Sequence, residues 1–236
     1  MKISFPISFN RQILYRKDEI IRLCENKKVL HLGFIQHSHL YQKLIEEGNW
    51  LHNKIGMVAS KLVGIDFLRE EVNRIREKYN MECYYGDVCA LDQCEHQDKY
   101  DVVVCGELIE HLENPGLALE GIKNYLNREG ILIITTPNPW SWTRLKLLKR
   151  GILEKEWLNP EHTCWFSYGT LNNFLERKDY SKVYYTYYYD ESKEKEYRDK
   201  KGLVRTWYQI KDGIRKRILP KHYFRGLFFV CKAKCT

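Results

Sequence analysis

The densest run of chemically able side chains in the sequence is Glu107-Leu-Ile-Glu110-His111. Residues three and four apart on a helix share a face, so two carboxylates and an imidazole there can converge on one point. A second imidazole, His162, stands in His-Thr-Cys-Trp-Phe, downstream of Thr-Pro-Asn at 136–138. Trp140, Trp142, Trp165 and Phe166 flank these segments and can either wall a substrate or pack into the core. A separate group suits a nucleoside or dinucleotide ligand. Gly33 offers a tight turn for close backbone approach, Asp66 a carboxylate for ribose hydroxyls, and Asp87 a polar group to read the base. Beside them, Phe34, Ile35, Phe67, Val88, Gly106 and Glu107 complete the candidate contacts. For Asp66 the plainer alternative is a helix N-cap.

These residues need a scaffold that sets them on one edge. Apolar runs at 27–33, 61–66, 82–85, 100–105 and 130–136 read as strands, each followed by a turn. The fourth, Tyr-Asp-Val-Val-Val-Cys, is apolar on both faces, as buried parallel strands are. Helical patterns fall between the strands: 9–25, 40–60, 67–79 and 115–127, the last with proline in its first turn. Strands alternating with helices predict a mostly parallel sheet covered on both sides. In such sheets the ligand lies beyond the carboxyl ends of the strands, and every candidate above falls at one of those ends. Later segments are looser. Residues 140–150 and 169–177 look helical, 181–189 and 227–232 look like closing strands, and a basic stretch of about 35 residues between those strands has no clear assignment.

At 236 residues, 44% apolar and 30% charged, the chain can bury a full core. No apolar run is long enough for a membrane span, and Met1–Gln12 lacks the apolar stretch of a secretory signal, so the cytoplasm is the expected location. Eight cysteines, none in a Cys-x-x-Cys pair, suit reduced buried thiols rather than a zinc site. Charge is uneven: from Thr143 onward there are 22 Lys/Arg against 11 Asp/Glu, while the preceding residues carry 17 against 20. That surplus can attract an anion or simply solvate a face.

Val-Leu-His-Leu-Gly (29–33), Val-Gly-Ile-Asp (63–66), Tyr-Gly-Asp-Val (85–88), residues 100–115 and Gly-Ile-Leu-Ile-Ile-Thr-Thr-Pro-Asn (130–138) stand in the order of the motifs of class I methyltransferases, which they resemble. The resemblance covers roughly residues 28–138. It implies S-adenosylmethionine as cofactor and a Rossmann-like, seven-stranded sheet closed by an antiparallel hairpin. The whole chain, 1–236, then reads as one domain with a cofactor core at 27–138 and substrate-side elaborations at 40–60 and 139–222. The first loop departs from the family's GxGxG: here it runs Gly-Phe-Ile-Gln-His (33–37), and residues 49–55 are an insert. The opening Val-Leu-His-Leu-Gly with Trp-Leu-His (50–52) is similar to a divergent bacterial subgroup, which implies that the insert covers the cofactor. His31 and His37, near that loop, read as packing or capping residues.

The Glu-x-x-Glu-His pattern is similar to ubiquinone-pathway O-methyltransferases and to small-RNA 2′-O-methyltransferases. That likeness implies a divalent ion, of the magnesium type, on Glu107, Glu110, His111 and His162. In metal-free sugar and small-molecule methyltransferases, a histidine placed like His162 acts as base, and the Glu-x-x-Glu-His residues contact cofactor or cap a helix. His162 and His111 are therefore the catalytic candidates. The reading favoured is O-methylation of a hydroxylated small molecule, sugar or glycan. The alternatives are an N-methyltransferase, an RNA 2′-O-methyltransferase and a non-catalytic Rossmann-like binding protein. Against RNA, no recognisable RNA-binding module or aromatic-basic stripe is present.

Overall fold

A computed structural model of the chain describes residues 13–35, 40–189 and 200–234. His37, Cys235 and the start of the first expected helix lie outside the described residues. Among those residues seven strands form one sheet: β1 (Lys28–Leu32), β2 (Lys61–Asp66), β3 (Cys83–Tyr85), β4 (Tyr100–Gly106), β5 (Leu126–Pro137), β6 (Tyr180–Tyr188) and β7 (Gly226–Ala233). Their order is β3-β2-β1-β4-β5-β7-β6. The first five strands pair in parallel, and β7 runs antiparallel to both β5 and β6.

Alternation along the strands sends side chains to two separate cores. Val29, Val102, Val104 and Ile133 meet Ile20 and Cys24 of α1 (Arg16–Cys24) and, beyond the insert's first helix α2 (Tyr41–Glu46), Leu51 and Ile55 of α3 (Leu51–Gly56). A third cluster, under α4 (Arg69–Tyr79), joins Phe34, Ile35, Tyr41, Trp50, Val72 and Ile75. On the opposite face Leu30, Leu32, Val103, Cys105 and Leu132 meet α5 (Pro115–Lys123), whose N-cap Asn114 accepts the Leu117 N–H. Beyond the exposed α6 (Trp142–Lys149), α7 (Tyr168–Arg177) adds Leu171 and Leu175 to that core. The doubly covered parallel sheet expected from the sequence is thus the one found.

Three local readings change. The expected helix at 40–60 is two short helices, broken where Gly48 takes a φ of +63°. The helix placed at 115–127 ends at Lys123, because Leu126 already pairs with Tyr100 at the start of β5. The unassigned basic stretch contains a 17-residue helix, α8 (Gly202–Ile218). The seven described cysteines are free thiols, as their scatter suggests.

Candidate active site at the carboxyl ends of the strands

Strand order reverses between β1 and β4, and open parallel sheets leave a ligand crevice at such a point. Gly33 leaves β1 with a φ of +62°, and a Cβ on it would come within 2.8 Å of the Leu108 side chain. Glycine suits both demands. Its N–H donates to the Ile65 carbonyl at 2.9 Å, which holds the turn against β2.

Asp66 ends β2 as expected, but its carboxylate is buried and engaged. Oδ2 accepts the Ile35 N–H at 3.0 Å and Oδ1 accepts the Leu68 N–H at 3.1 Å. Burial pushes its pKa up, against the lowering effect of those bonds. Asp66 is therefore the clasp of the first loop. Phe34 and Ile35, expected to touch the cofactor, have no open surface. The Phe34 ring fills the space over Gly64, where a Cβ would sit 2.7 Å from it, and the Phe34 carbonyl accepts the Trp50 indole N–H at 3.0 Å. Phe34 and Ile35 thus pack inward, whereas the sequence placed them against the cofactor. Phe67, next to Asp66, is 67% exposed and leaves a ring face free. Asp87 is exposed and caps a short turn at Val88–Gln93, Oδ1 accepting the Cys89 N–H at 2.8 Å, while Val88 is buried.

Past β4, the structure divides the residues that the sequence placed on one helical face. The only helical turn there is the three-residue Ile109–His111, and Glu107 before it has a φ of +54°. Glu107 donates its N–H to Thr135 and turns its carboxylate to the Tyr188 hydroxyl, which donates to it at 2.7 Å. The Tyr188 ring is buried, and burial followed by the Glu107 charge holds the phenol well above its ordinary range. Glu107 thus stands outside the group that Glu110, His111 and His162 form.

Glu110, His111 and His162 do come together, with one ligand atom of each within 4.8 Å of the others. Thr163 brings His162 there: its N–H donates to the Glu110 carbonyl at 2.8 Å, and its hydroxyl reaches the Leu112 carbonyl at 2.8 Å. The His111 and His162 rings meet edge to face at 4.7 Å, and Trp165 meets His162 likewise at 5.4 Å. Neither carboxylate oxygen of buried Glu110 has a hydrogen-bond partner, nor has His162 Nδ1. Burial, reinforced by the Glu107 charge, raises the Glu110 pKa well above the carboxylate range, against the lowering effect of its own backbone N–H, the Thr136 hydroxyl and Arg16. Burial, then the charges of His111 and Arg144, lowers the His162 pKa, which favours the neutral imidazole.

Two arginines escaped the sequence reading because no motif marks them. Arg16 of α1 reaches over the sheet end, its buried Nη1 unpaired and 3.4 Å from where a Cβ on Gly106 would stand. Arg144 of α6 donates to the Asn138 carbonyl at 2.6 Å and lies over the Trp165 ring at 4.3 Å. Burial lowers its pKa to about 10. Arg144 also lines a cavity of about 230 Å³, with Trp142, Trp157, Arg215, Tyr223 and Arg225. Of the expected aromatic wall, Trp142 borders that cavity and Trp165 the histidines, Trp140 is exposed, and Phe166 packs into the core.

The reversed sheet order, the strained glycine turn after β1 and the antiparallel β7 between β5 and β6 define the class I methyltransferase fold. Solved structures agree. A SAM dependent methyltransferase from Archaeoglobus fulgidus superposes with a TM-score of 0.56 at 18% identity, covering 92% of this chain and 91% of that one. A TehB-like SAM-dependent methyltransferase from Corynebacterium glutamicum ATCC 13032 Kitasato gives 0.54 at 14% identity, covering 94% and 89%. Residues 46–185 match the family model of the methyltransferase domain. The chain belongs to that family and is an S-adenosylmethionine-dependent methyltransferase. Over 67 residues it is 39% identical to the ubiquinone biosynthesis O-methyltransferase of Glaesserella parasuis serovar 5 (strain SH0165), a match spanning 28% of this chain and 27% of that enzyme.

Proposed function

We propose that the enzyme methylates a hydroxyl oxygen of a small-molecule, sugar or glycan acceptor, placed beside Glu110, His111 and His162. One observation carries this reading: Glu110 and His162, gathered with His111 past the carboxyl ends of the strands, each hold a buried polar atom without a hydrogen-bond partner. Buried polar groups are normally satisfied, so two such atoms in one cluster fit groups that a ligand completes. The local likeness to a ubiquinone biosynthesis O-methyltransferase supports oxygen as the acceptor atom.

For the cofactor, Gly33 gives close backbone approach, Phe67 a face for the adenine, and Asp87 a polar edge beside it. Asp66 serves the ribose by holding the loop that borders it. The Arg16 guanidinium suits the methionine carboxylate, since a charged hydrogen bond in a dry site is strong. In the reaction the acceptor oxygen forms a bond to the methyl carbon as the sulfur–carbon bond breaks, leaving S-adenosylhomocysteine. Neutral His162 is placed to take the acceptor's proton, with His111 orienting it edge-on. Most of the acceleration then comes from alignment of the two reactants.

The same three residues fit a divalent cation, because each offers one ligand atom, the three atoms lie within 4.8 Å of one another, and the Glu110 oxygens are otherwise unpaired. One carboxylate with two imidazoles suits manganese, iron or zinc better than magnesium, which prefers oxygen ligands. Bound there, a cation would supply Lewis acidity toward the acceptor hydroxyl.

The test is transfer of labelled methyl from S-adenosylmethionine to panels of phenols, sugars, amines and RNA, run with chelator and with Mn²⁺ or Mg²⁺. Labelled methyl ethers, lost in Glu110→Ala and His162→Ala, support the reading. Labelled amines alone, or turnover that ignores both substitutions, refute it.

A further inference from the structure

A surface helix normally buries an apolar stripe and shows its charges to water. Helix α8 does the reverse. Leu203, Trp207, Ile210, Ile214 and Ile218 recur every three or four residues, and they are 89%, 56%, 59%, 53% and 73% exposed. Val204 adds to the same face. The one residue that the helix buries is acidic, Asp212. Its Oδ1 accepts the Tyr189 hydroxyl at 2.5 Å, and its Oδ2 pairs with Lys216 at 2.7 Å. The helix is therefore fixed to the body through its polar side, and its apolar stripe faces outward. Monomeric proteins rarely leave such a patch uncovered.

The charges indicate what covers it. Arg205, Lys211, Arg215, Lys216 and Arg217 lie on α8, and its one acid is already neutralised by Lys216. At 3.6 residues per turn, Lys211 and Arg217 border the apolar stripe on either side. A second copy of the chain would press like charges together there, in a protein whose net charge is +8. An anionic bilayer surface instead offers hydrocarbon to the stripe and phosphates to the bordering cations, whose long stems let the charge reach the headgroups. Trp207 sits in the stripe, and tryptophan favours the membrane interface. At 17 residues with this charge the helix lies in the surface and does not span: no described helix is long and apolar enough to cross a membrane.

We propose that α8 docks the enzyme on an anionic membrane surface, with its apolar stripe among the acyl chains and Lys211 and Arg217 at the phosphates. The proposal is independent of the acceptor atom. Arg215 of α8 also lines the cavity shared with Arg144.

The full chain is mixed with vesicles of phosphatidylcholine, alone or with about one third phosphatidylglycerol, and bound protein is separated by flotation. The result expected is flotation with the anionic vesicles, a blue shift of tryptophan emission, and loss of binding as salt rises. Trp207→Ser/Ile214→Ser should reduce partition at least about tenfold, and Lys211→Glu/Arg217→Glu should abolish the preference for anionic lipid. Both variants should keep wild-type S-adenosylhomocysteine affinity, which shows that they fold. Absence of flotation, equal binding to neutral vesicles, or unchanged partition of the variants overturns the proposal. So does a dimer in sedimentation that Ile214→Ser dissociates, since a second copy would then cover the stripe. Failure of cofactor binding in the wild type would instead count against the enzymatic reading alone.

Discussion

His31 near the carboxyl end of β1 and His52 in α3 are both buried, their Nδ1 atoms 3.3 Å apart. Burial, then the Arg16 charge, pushes the His31 pKa down to about 3, and burial, then His31, holds His52 well below its ordinary 6.5. Folded-state values below the unfolded ones mean that the unfolded chain binds more protons. Stability from both is therefore complete above about pH 6.5 and is lost as the pH falls through the acid range. Each proton costs about 1.4 kcal/mol per pH unit, so between pH 6.5 and 5.0 His31 removes roughly 2 kcal/mol, and His52, shifted the same way, adds to the loss. In a chain of this size the His31 share alone is a fall in Tm of about 4–8 °C. Urea unfolding at closely spaced pH values measures it. His31→Val/His52→Leu deletes both partners together, which is close to neutral when shapes are matched, and should flatten most of the slope. His96 and His162, also shifted down by burial, leave a smaller remainder. An acid loss of undiminished size in the double variant would refute the assignment.

Arg16→Gln should weaken S-adenosylhomocysteine binding about tenfold or more, by loss of a charged hydrogen bond, while decarboxylated S-adenosylmethionine should bind both forms alike. Calorimetry decides, and an equal loss for both ligands would place Arg16 elsewhere. Asp66→Ala should weaken cofactor binding by about 1–3 kcal/mol and also lower Tm, because it frees the Ile35 and Leu68 N–H groups. A binding defect at unchanged Tm would show that Asp66 is not the loop clasp. His162→Ala should slow transfer by roughly 10²–10⁴ with little change in cofactor affinity. Single-turnover rates at wild-type level would return His162 to a structural part.

The sheet was legible because its strands are unbroken apolar runs: Val102, Val103 and Val104 serve two cores at once, and no amphipathic helix reads that way. The turn glycine Gly33 and the strand-end Asp66 fall where the sequence put them, at the carboxyl ends of β1 and β2. What spacing could not reveal was the backbone. The sequence interval from Glu107 to His111 suits a helix, yet the left-handed φ at Glu107 sends its carboxylate to Tyr188, 81 residues away. Asp66 was placed correctly, but its capture by the Ile35 N–H depends on how a glycine-poor loop packs. Arg16 carries no local signal, since its significance arises only where α1 passes Gly106. In α8 the periodicity was present, but an apolar stripe that faces outward and a polar side that faces in contradict the usual reading of such a pattern.

The late strand β7 occupies a slot between two strands that precede it in the chain. As the polypeptide leaves the ribosome, β5 offers one open flank and β6 has no neighbour until residues 226–233 emerge. An unfilled flank invites pairing with foreign strands, so this interval is when the nascent enzyme is most prone to aggregate. Closure joins residues up to about a hundred positions apart, a slow kind of contact to form.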